Sequence, residues 1–182
     1  MRIPILLTLL AAFHIQAALP GDSVYQLDSE WQNRQGDKLN IGQLAGKKQI
    51  FALIYTDCIT ACPVIVSDLK AVQAALTPEQ QQQLGFVLVS LTPAKDTPKV
   101  MRYFAQKRGL DEHWTLLSGS DEKVRTLAMT LNIQYMGMAD GEIAHSNAIT
   151  VLDEQGRLLF QQTGLPGGPE ALIRKLWPET KR

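Results

Sequence analysis

The chain has 182 residues, 18 of them lysine or arginine and 18 aspartate or glutamate, and 45% of its residues are hydrophobic. That content suffices for one ordinary domain with a full core. The balanced charge, with no basic stripe and no interleaving of aromatic and basic residues, argues against nucleic acid as a partner, and two cysteines are too few for a disulfide scaffold at this size.

Met1-Arg2 gives a short positive start, Ile3 to Phe13 is mostly apolar, and small residues follow around Ala17. This pattern reads as a secretory signal peptide over residues 1–17, cleaved after Ala17, with a retained N-terminal anchor as the rival. The run is shorter than the roughly 20 apolar residues that span a bilayer. The expected destination is a bacterial periplasm, and the expected working unit is a single domain over residues 18–182. Cleavage takes 17 residues from 182 and one charge, Arg2, leaving 165 residues with 17 basic and 18 acidic side chains. No later apolar run has spanning length, so this domain is not expected to cross a membrane.

Val24 to Leu27 alternates weakly and Lys38 to Ile41 follows the turn-like Gln35-Gly36-Asp37, which predicts a small N-terminal hairpin. Gln49 to Tyr55 is almost wholly apolar, as a strand buried on both faces would be. Ile65, Leu69, Val72 and Leu76 then recur at helical spacing until Thr77-Pro78. Phe86 to Leu91 predicts a second buried strand. Asp96-Thr97-Pro98 opens a helix with a cap and a proline at its first position, running to Arg108 before Gly109. Trp114 to Leu117 is a short strand, and Ser120-Asp121-Glu122 starts another helix. Ile149 to Leu152 and Leu158 to Gln161 flank the hairpin turn Asp153-Glu154-Gln155-Gly156, and Pro169 to Trp177 closes with an amphipathic helix. Strand, helix, strand, helix, then a hairpin and a helix is the order of a thioredoxin-like α/β fold. Its central mixed sheet would be flanked by helices.

The only cysteines, Cys58 and Cys62, sit where the first long strand runs into a helix, a position in which sites of α/β sheets form. Read as positions i and i+4 of one helical face, they lie about 5–6 Å apart at Cβ. That is close enough to join as a disulfide or to converge on a metal. The helix N-terminus favours thiolate, which would make the pair redox-active. Of three histidines, His14 leaves with the signal and His113 sits in a polar loop. His145 precedes the strand of the C-terminal hairpin, in a loop that such a fold brings opposite the cysteines. Two thiolates and an imidazole form a soft donor set suited to one copper ion, Cu(I) or Cu(II), and Met136 and Met138 are further thioether candidates. Structural zinc would want a fourth protein ligand.

The CxxxCP motif at Cys58-Ile59-Thr60-Ala61-Cys62-Pro63, with His145-Ser146 87 positions after Cys58, resembles the Sco/SenC proteins. So do Gly21-Asp22-Ser23-Val24-Tyr25-Gln26-Leu27, Leu44-Ala45-Gly46-Lys47 and Leu152-Asp153 before Gly156. The resemblance implies a thioredoxin-like fold and copper held by Cys58, Cys62 and His145. It also implies a role in metallating cytochrome c oxidase or keeping the thiols of its copper site reduced, with an oxidase subunit or another periplasmic thiol protein as partner. The chain departs from the family pattern at Ile59, where proline usually follows the first cysteine, and at Ala144, where an acidic residue commonly precedes the histidine. The alternative function is thiol–disulfide exchange on periplasmic proteins through Cys58 and Cys62. A peroxidase reading lacks the Thr-x-x-Cys setting that it needs.

Overall fold

A computed structural model describes residues 18–138 and 143–178, so the signal-peptide expectation for residues 1–17 lies outside the described residues. Among the described residues there are nine strands: β1 (Glu30–Asn33), β2 (Lys38–Asn40), β3 (Lys48–Ile54), β4 (Leu84–Ser90), β5 (Trp114–Ser118), β6 (Tyr135–Gly137), β7 (Ile143–His145), β8 (Ala148–Leu152) and β9 (Leu158–Thr163). Five helices join them: α1 (Ala61–Ala75), α2 (Pro78–Gln83), α3 (Pro98–Arg108), α4 (Asp121–Thr130) and α5 (Gly168–Leu176). Seven strands form one mixed sheet in the order β2-β1-β5-β4-β3-β8-β9, and β6 and β7 form a separate two-stranded ribbon. This is the α/β, thioredoxin-like arrangement that the element order predicts.

The middle of the sheet is parallel, β3 with β4 and β4 with β5. Every residue of β4 and all but the first of β3 are buried, which is why these strands read as unbroken apolar runs. Phe86 of β4 and Trp114 of β5 stack with centroids 4.6 Å apart. The antiparallel hairpin β8–β9 closes one side. Its turn is held by Asp153, which accepts hydrogen bonds from the Gln155 and Arg157 backbones and from the Arg157 guanidinium at 2.8 Å. Helix α5 packs on α1. Among the described residues no helix is long and apolar enough to cross a membrane.

Beyond shifts of one or two residues at element ends, the structure differs from the sequence expectation in four places. The N-terminal hairpin pairs Glu30–Asn33 with Lys38–Asn40, while Val24–Gln26 is a single 3₁₀ turn capped by the Ser23 hydroxyl. Thr77-Pro78 ends α1 but also begins α2, because Thr77 and Gln80 form a reciprocal capping box. The ribbon β6–β7 is absent from the sequence reading, and it makes His145 the last residue of a strand instead of a loop residue. Cys58 lies outside α1, which starts at Ala61 after Thr60.

Candidate functional site

The buried strand β3 runs out at Ile54, and the chain turns at once. The Cys58 N–H donates to the Tyr55 carbonyl at 3.2 Å, closing a four-residue turn. Thr60 then sits at the N-cap of α1 with no side-chain capping bond. The capping task falls instead to sulfur: the Cys62 N–H, in the first turn of the helix, donates to Cys58 Sγ at 3.3 Å. Pro63 fits the same first turn because the N–H that it lacks would have had no partner there. The two cysteines are therefore neighbours through a helix-terminus hydrogen bond, not through two positions of one helical face.

This geometry divides the thiols. Burial pushes Cys58 up, but hydrogen bonds from the Cys62 backbone and thiol, the Thr60 backbone and the Tyr55 side chain outweigh it. They bring the thiol from an ordinary 9 down to about 7. Cys62 goes the other way. Burial, the hydrogen bond with Cys58 and the negative charges of Cys58 and Asp96 raise it to about 12, against a smaller lowering by the Tyr55 backbone. The sequence expectation of a thiolate-prone pair thus holds for Cys58 and fails for Cys62, whose sulfur lies fully buried in the core. Both are free thiols.

His145 arrives from the other direction. Its place at the end of β7, paired with Tyr135 of β6, brings Nε2 to 3.9 Å from Cys62 Sγ. Its ring stands edge-on to Tyr55, centroids 6.1 Å apart. The Ser146 carbonyl, 3.3 Å from Nδ1, can accept only from a protonated Nδ1, which leaves the Nε2 lone pair facing the cysteine. Burial holds the imidazole below its ordinary pKa despite that carbonyl, so the ring is neutral at pH 7. A backbone carbonyl on the distal nitrogen is the usual support of a metal-binding histidine. It supplies orientation here although Ala144 is not acidic.

Among the described residues no three His, Cys, Asp or Glu side chains are already drawn together around one point. The 3.9 Å between Cys62 sulfur and His145 nitrogen is nevertheless shorter than the about 4.3 Å that zinc-like bonds of about 2.3 Å and 2.0 Å would span in line. Both atoms can therefore reach one ion, and Cys58 is the third soft donor beside them. His113 lies between α3 and β5, and its N–H bonds to the Asp111 carboxylate. Met136 and Met138 are exposed on the ribbon.

One site residue escaped the sequence reading. Asp96, read only as part of a helix cap, is 1% exposed, and the cap is Thr97. The Asp96 carboxylate accepts from the Thr56 N–H at 3.3 Å and from the hydroxyls of Thr56 (2.5 Å), Ser90 (2.6 Å) and Thr92 (2.9 Å). It ties the turn that carries Cys58 to the end of β4. The signal available was the hydroxyls at the strand ends, Thr56 after β3, Ser90 closing β4 and Thr92 just beyond it, with Asp96 four residues on.

A family profile described as SCO1/SenC matches residues 21–176. The SCO1 protein homolog of Bacillus subtilis (strain 168) is 24% identical over 143 residues, which are 76% of this chain and 74% of the relative. A SCO1/SenC family lipoprotein from Bacillus anthracis superposes with a TM-score of 0.73 at 23% identity, covering 82% of this chain and 94% of that one. The structure of Bradyrhizobium japonicum ScoI with copper bound gives 0.69 at 22% identity, over 81% of this chain and 94% of that one.

Proposed function

The chain belongs to the SCO1/SenC family, and we propose from that membership and the site geometry that it is an exported copper chaperone. On this reading Cys58, Cys62 and His145 take up one copper ion as cargo. The domain works in the periplasm after loss of residues 1–17, and it delivers copper to cytochrome c oxidase or keeps the thiols of that copper site reduced. Copper-bound relatives such as the Bradyrhizobium ScoI structure support the choice of metal.

The observation that carries the reading is the 3.9 Å approach of His145 Nε2 to Cys62 Sγ. A neutral imidazole held against a thiol offers a nitrogen donor to a soft metal, whereas thiol exchange can proceed through the two cysteines without it. Cys58, lowered to about 7, offers a ready thiolate near neutral pH. Cys62 must release a proton on metal capture, so binding tightens as pH rises. A second reading, thiol–disulfide exchange on periplasmic proteins, draws support from the division of the thiols into a low and a high pKa, the pattern of an attacking and a resolving cysteine. It does not require His145.

Copper titration of the reduced protein tests the proposal. One equivalent should bind tightly, with sulfur-to-copper charge-transfer absorption for Cu(II). Cys58→Ser and Cys62→Ser should each abolish tight binding. His145→Ala should weaken Cu(II) strongly and Cu(I) less, and should leave disulfide reduction intact. Unchanged copper binding in His145→Ala would refute the ligand set. A strain carrying that variant with normal oxidase copper content would refute the delivery role.

A further inference from the structure

Cys58 and Cys62 are buried, yet the chain beside them leaves apolar side chains in water. Ile59, next to Cys58, is 82% exposed, and Val64, two residues past Cys62, is 59% exposed. Ala61, Val64, Ile65 and Asp68 stand at i, i+3, i+4 and i+7 of α1 and so share one helix face. That face, with Asn147 and Gly164 opposite, lines a depression of about 200 Å³. A cavity of about 150 Å³ admits benzene, so this one has room for a single aliphatic side chain. Its far wall begins two residues after His145, where the Gly164 N–H donates to the Asn147 carbonyl at 3.1 Å. Asn147 Oδ1 is buried without a hydrogen-bond partner among the described residues, an acceptor that a donor from outside the chain would satisfy.

The charge of this face has one sign. Between Lys48 and Lys70 the chain carries Asp57 and Asp68 and no basic residue. Asp57 is exposed and Asp68 lines the depression. Among the described residues neither enters an ion pair. An apolar patch with an acidic rim is complemented by an apolar side chain flanked by a basic one. A second copy of this chain is the wrong occupant, because a two-fold contact would set the patch on itself and carboxylates against carboxylates.

We propose that the copper-receiving protein docks on this face, seating an aliphatic side chain in the depression and a lysine or arginine against Asp68. The proposal rests on the copper-delivery reading and gives the partner its chemistry. Ligand exchange requires the acceptor's own ligands to come within bonding distance of the ion. The depression is bounded by Ala61, adjacent to Cys62, and by Asn147, two residues from His145, so a segment anchored there lies alongside both donors. Ile59 widens the apolar contact beside Cys58. No electron moves: the ion keeps its oxidation state while the acceptor's ligands replace those of this chain.

The test compares two acceptors. Reduced protein carrying one equivalent of Cu(I) is mixed anaerobically with copper-depleted cytochrome c oxidase or with a small chromophoric Cu(I) chelator, and the transfer rate is followed. Val64→Ser and Asp68→Lys change exposed or half-buried side chains that are not copper ligands. Each should slow transfer to the oxidase by roughly five- to tenfold, while copper affinity and transfer to the chelator stay as in the wild type. Added salt should slow the wild type and speed Asp68→Lys, since it screens attraction in one and repulsion in the other. Transfer to the oxidase at an unchanged rate overturns the dock, and so does equal slowing toward both acceptors, which would place the effect in the copper site. A copper-loaded wild type that dimerises in sedimentation, with the dimer lost in Val64→Ser, would give the face to a second copy and overturn the choice of partner. A wild type that binds no copper would strike the cysteine–histidine reading. One that binds copper and passes it to the chelator but never to the oxidase would strike the delivery reading and the dock with it.

Discussion

The division of the two thiols can be read directly from a pH profile of alkylation. At pH 7 a thiol with a pKa of about 7 is half thiolate, whereas one at the ordinary 9 is about one per cent, so Cys58 gains about 50-fold in thiolate. Intrinsic nucleophilicity falls with pKa at a Brønsted slope of about 0.4–0.5, which over two units takes back about six- to tenfold. Cys58 should therefore react about five- to eightfold faster at pH 7 than an ordinary thiol of equal access, by the same slope. Its near-complete burial lowers the plateau rate but not the midpoint. Iodoacetamide labelling of the reduced, metal-free protein, quantified by mass spectrometry from pH 5 to 10, should modify Cys58 first with a midpoint near 7. Cys62, at about 12, should stay unmodified. Stability should follow. The lowered Cys58 thiol contributes stability that is present above pH 9 and lost as pH falls through 7, and the raised Cys62 thiol contributes stability that is lost as pH rises from 9 to 12. A labelling midpoint near 9, or Cys62 reacting first, would refute the argument that the helix-terminus bond to Cys58 sulfur sets its charge.

Replacing Asp96 with alanine removes the acceptor of four hydrogen bonds, the one from Ser90 fully buried and the others part-buried, so urea unfolding should show a loss of about 2–3 kcal/mol, and copper affinity should fall about 10–100-fold as the Cys58 turn loses its tether; wild-type affinity in a folded variant would show that the tether does not matter. Equilibration with oxidised glutathione in the absence of copper should join Cys58 to Cys62, and two free thiols by mass spectrometry would count against it. Periplasmic fractionation followed by N-terminal sequencing should find a protein beginning at Ala18; an intact Met1 there would rule out cleavage.

Much of this fold was legible because its elements carry one-dimensional signals. The runs that became β3 and β4 are apolar at nearly every position, a pattern few structures other than a buried parallel strand can satisfy. Thr97-Pro98 and Gly109 bracket α3, with Gly109 at φ 62° as the helix-ending residue. The ribbon β6–β7 was not legible. Three residues a side, with Met136 and Ala144 exposed, give no alternation to read, and the pairing is a contact across the chain. Asp96 was missed for a related reason. Ser90 and Thr92 precede it closely, but Thr56 is brought to it by the parallel pairing of β3 with β4, and adjacency in a sheet cannot be seen along a sequence.

The three proposed donors hang from elements of unequal anchorage, and that asymmetry bears on how copper would leave on the proposed reading. Cys58 and Cys62 are fixed by the end of β3, the first turn of α1 and the Asp96 tether, all within the main core. His145 belongs to a ribbon outside the seven-stranded sheet, and a two-stranded hairpin alone is marginal in water. Ala144 gives the imidazole no acidic partner, and its Nδ1 is steadied by the Ser146 carbonyl at 3.3 Å. A chaperone must hold its metal firmly enough to collect it and loosely enough to hand it on by ligand exchange. A stiff pair of thiols supplies the first requirement. A nitrogen donor on a short ribbon outside the main sheet supplies the second, because a client's ligand can displace it without breaking the seven-stranded sheet.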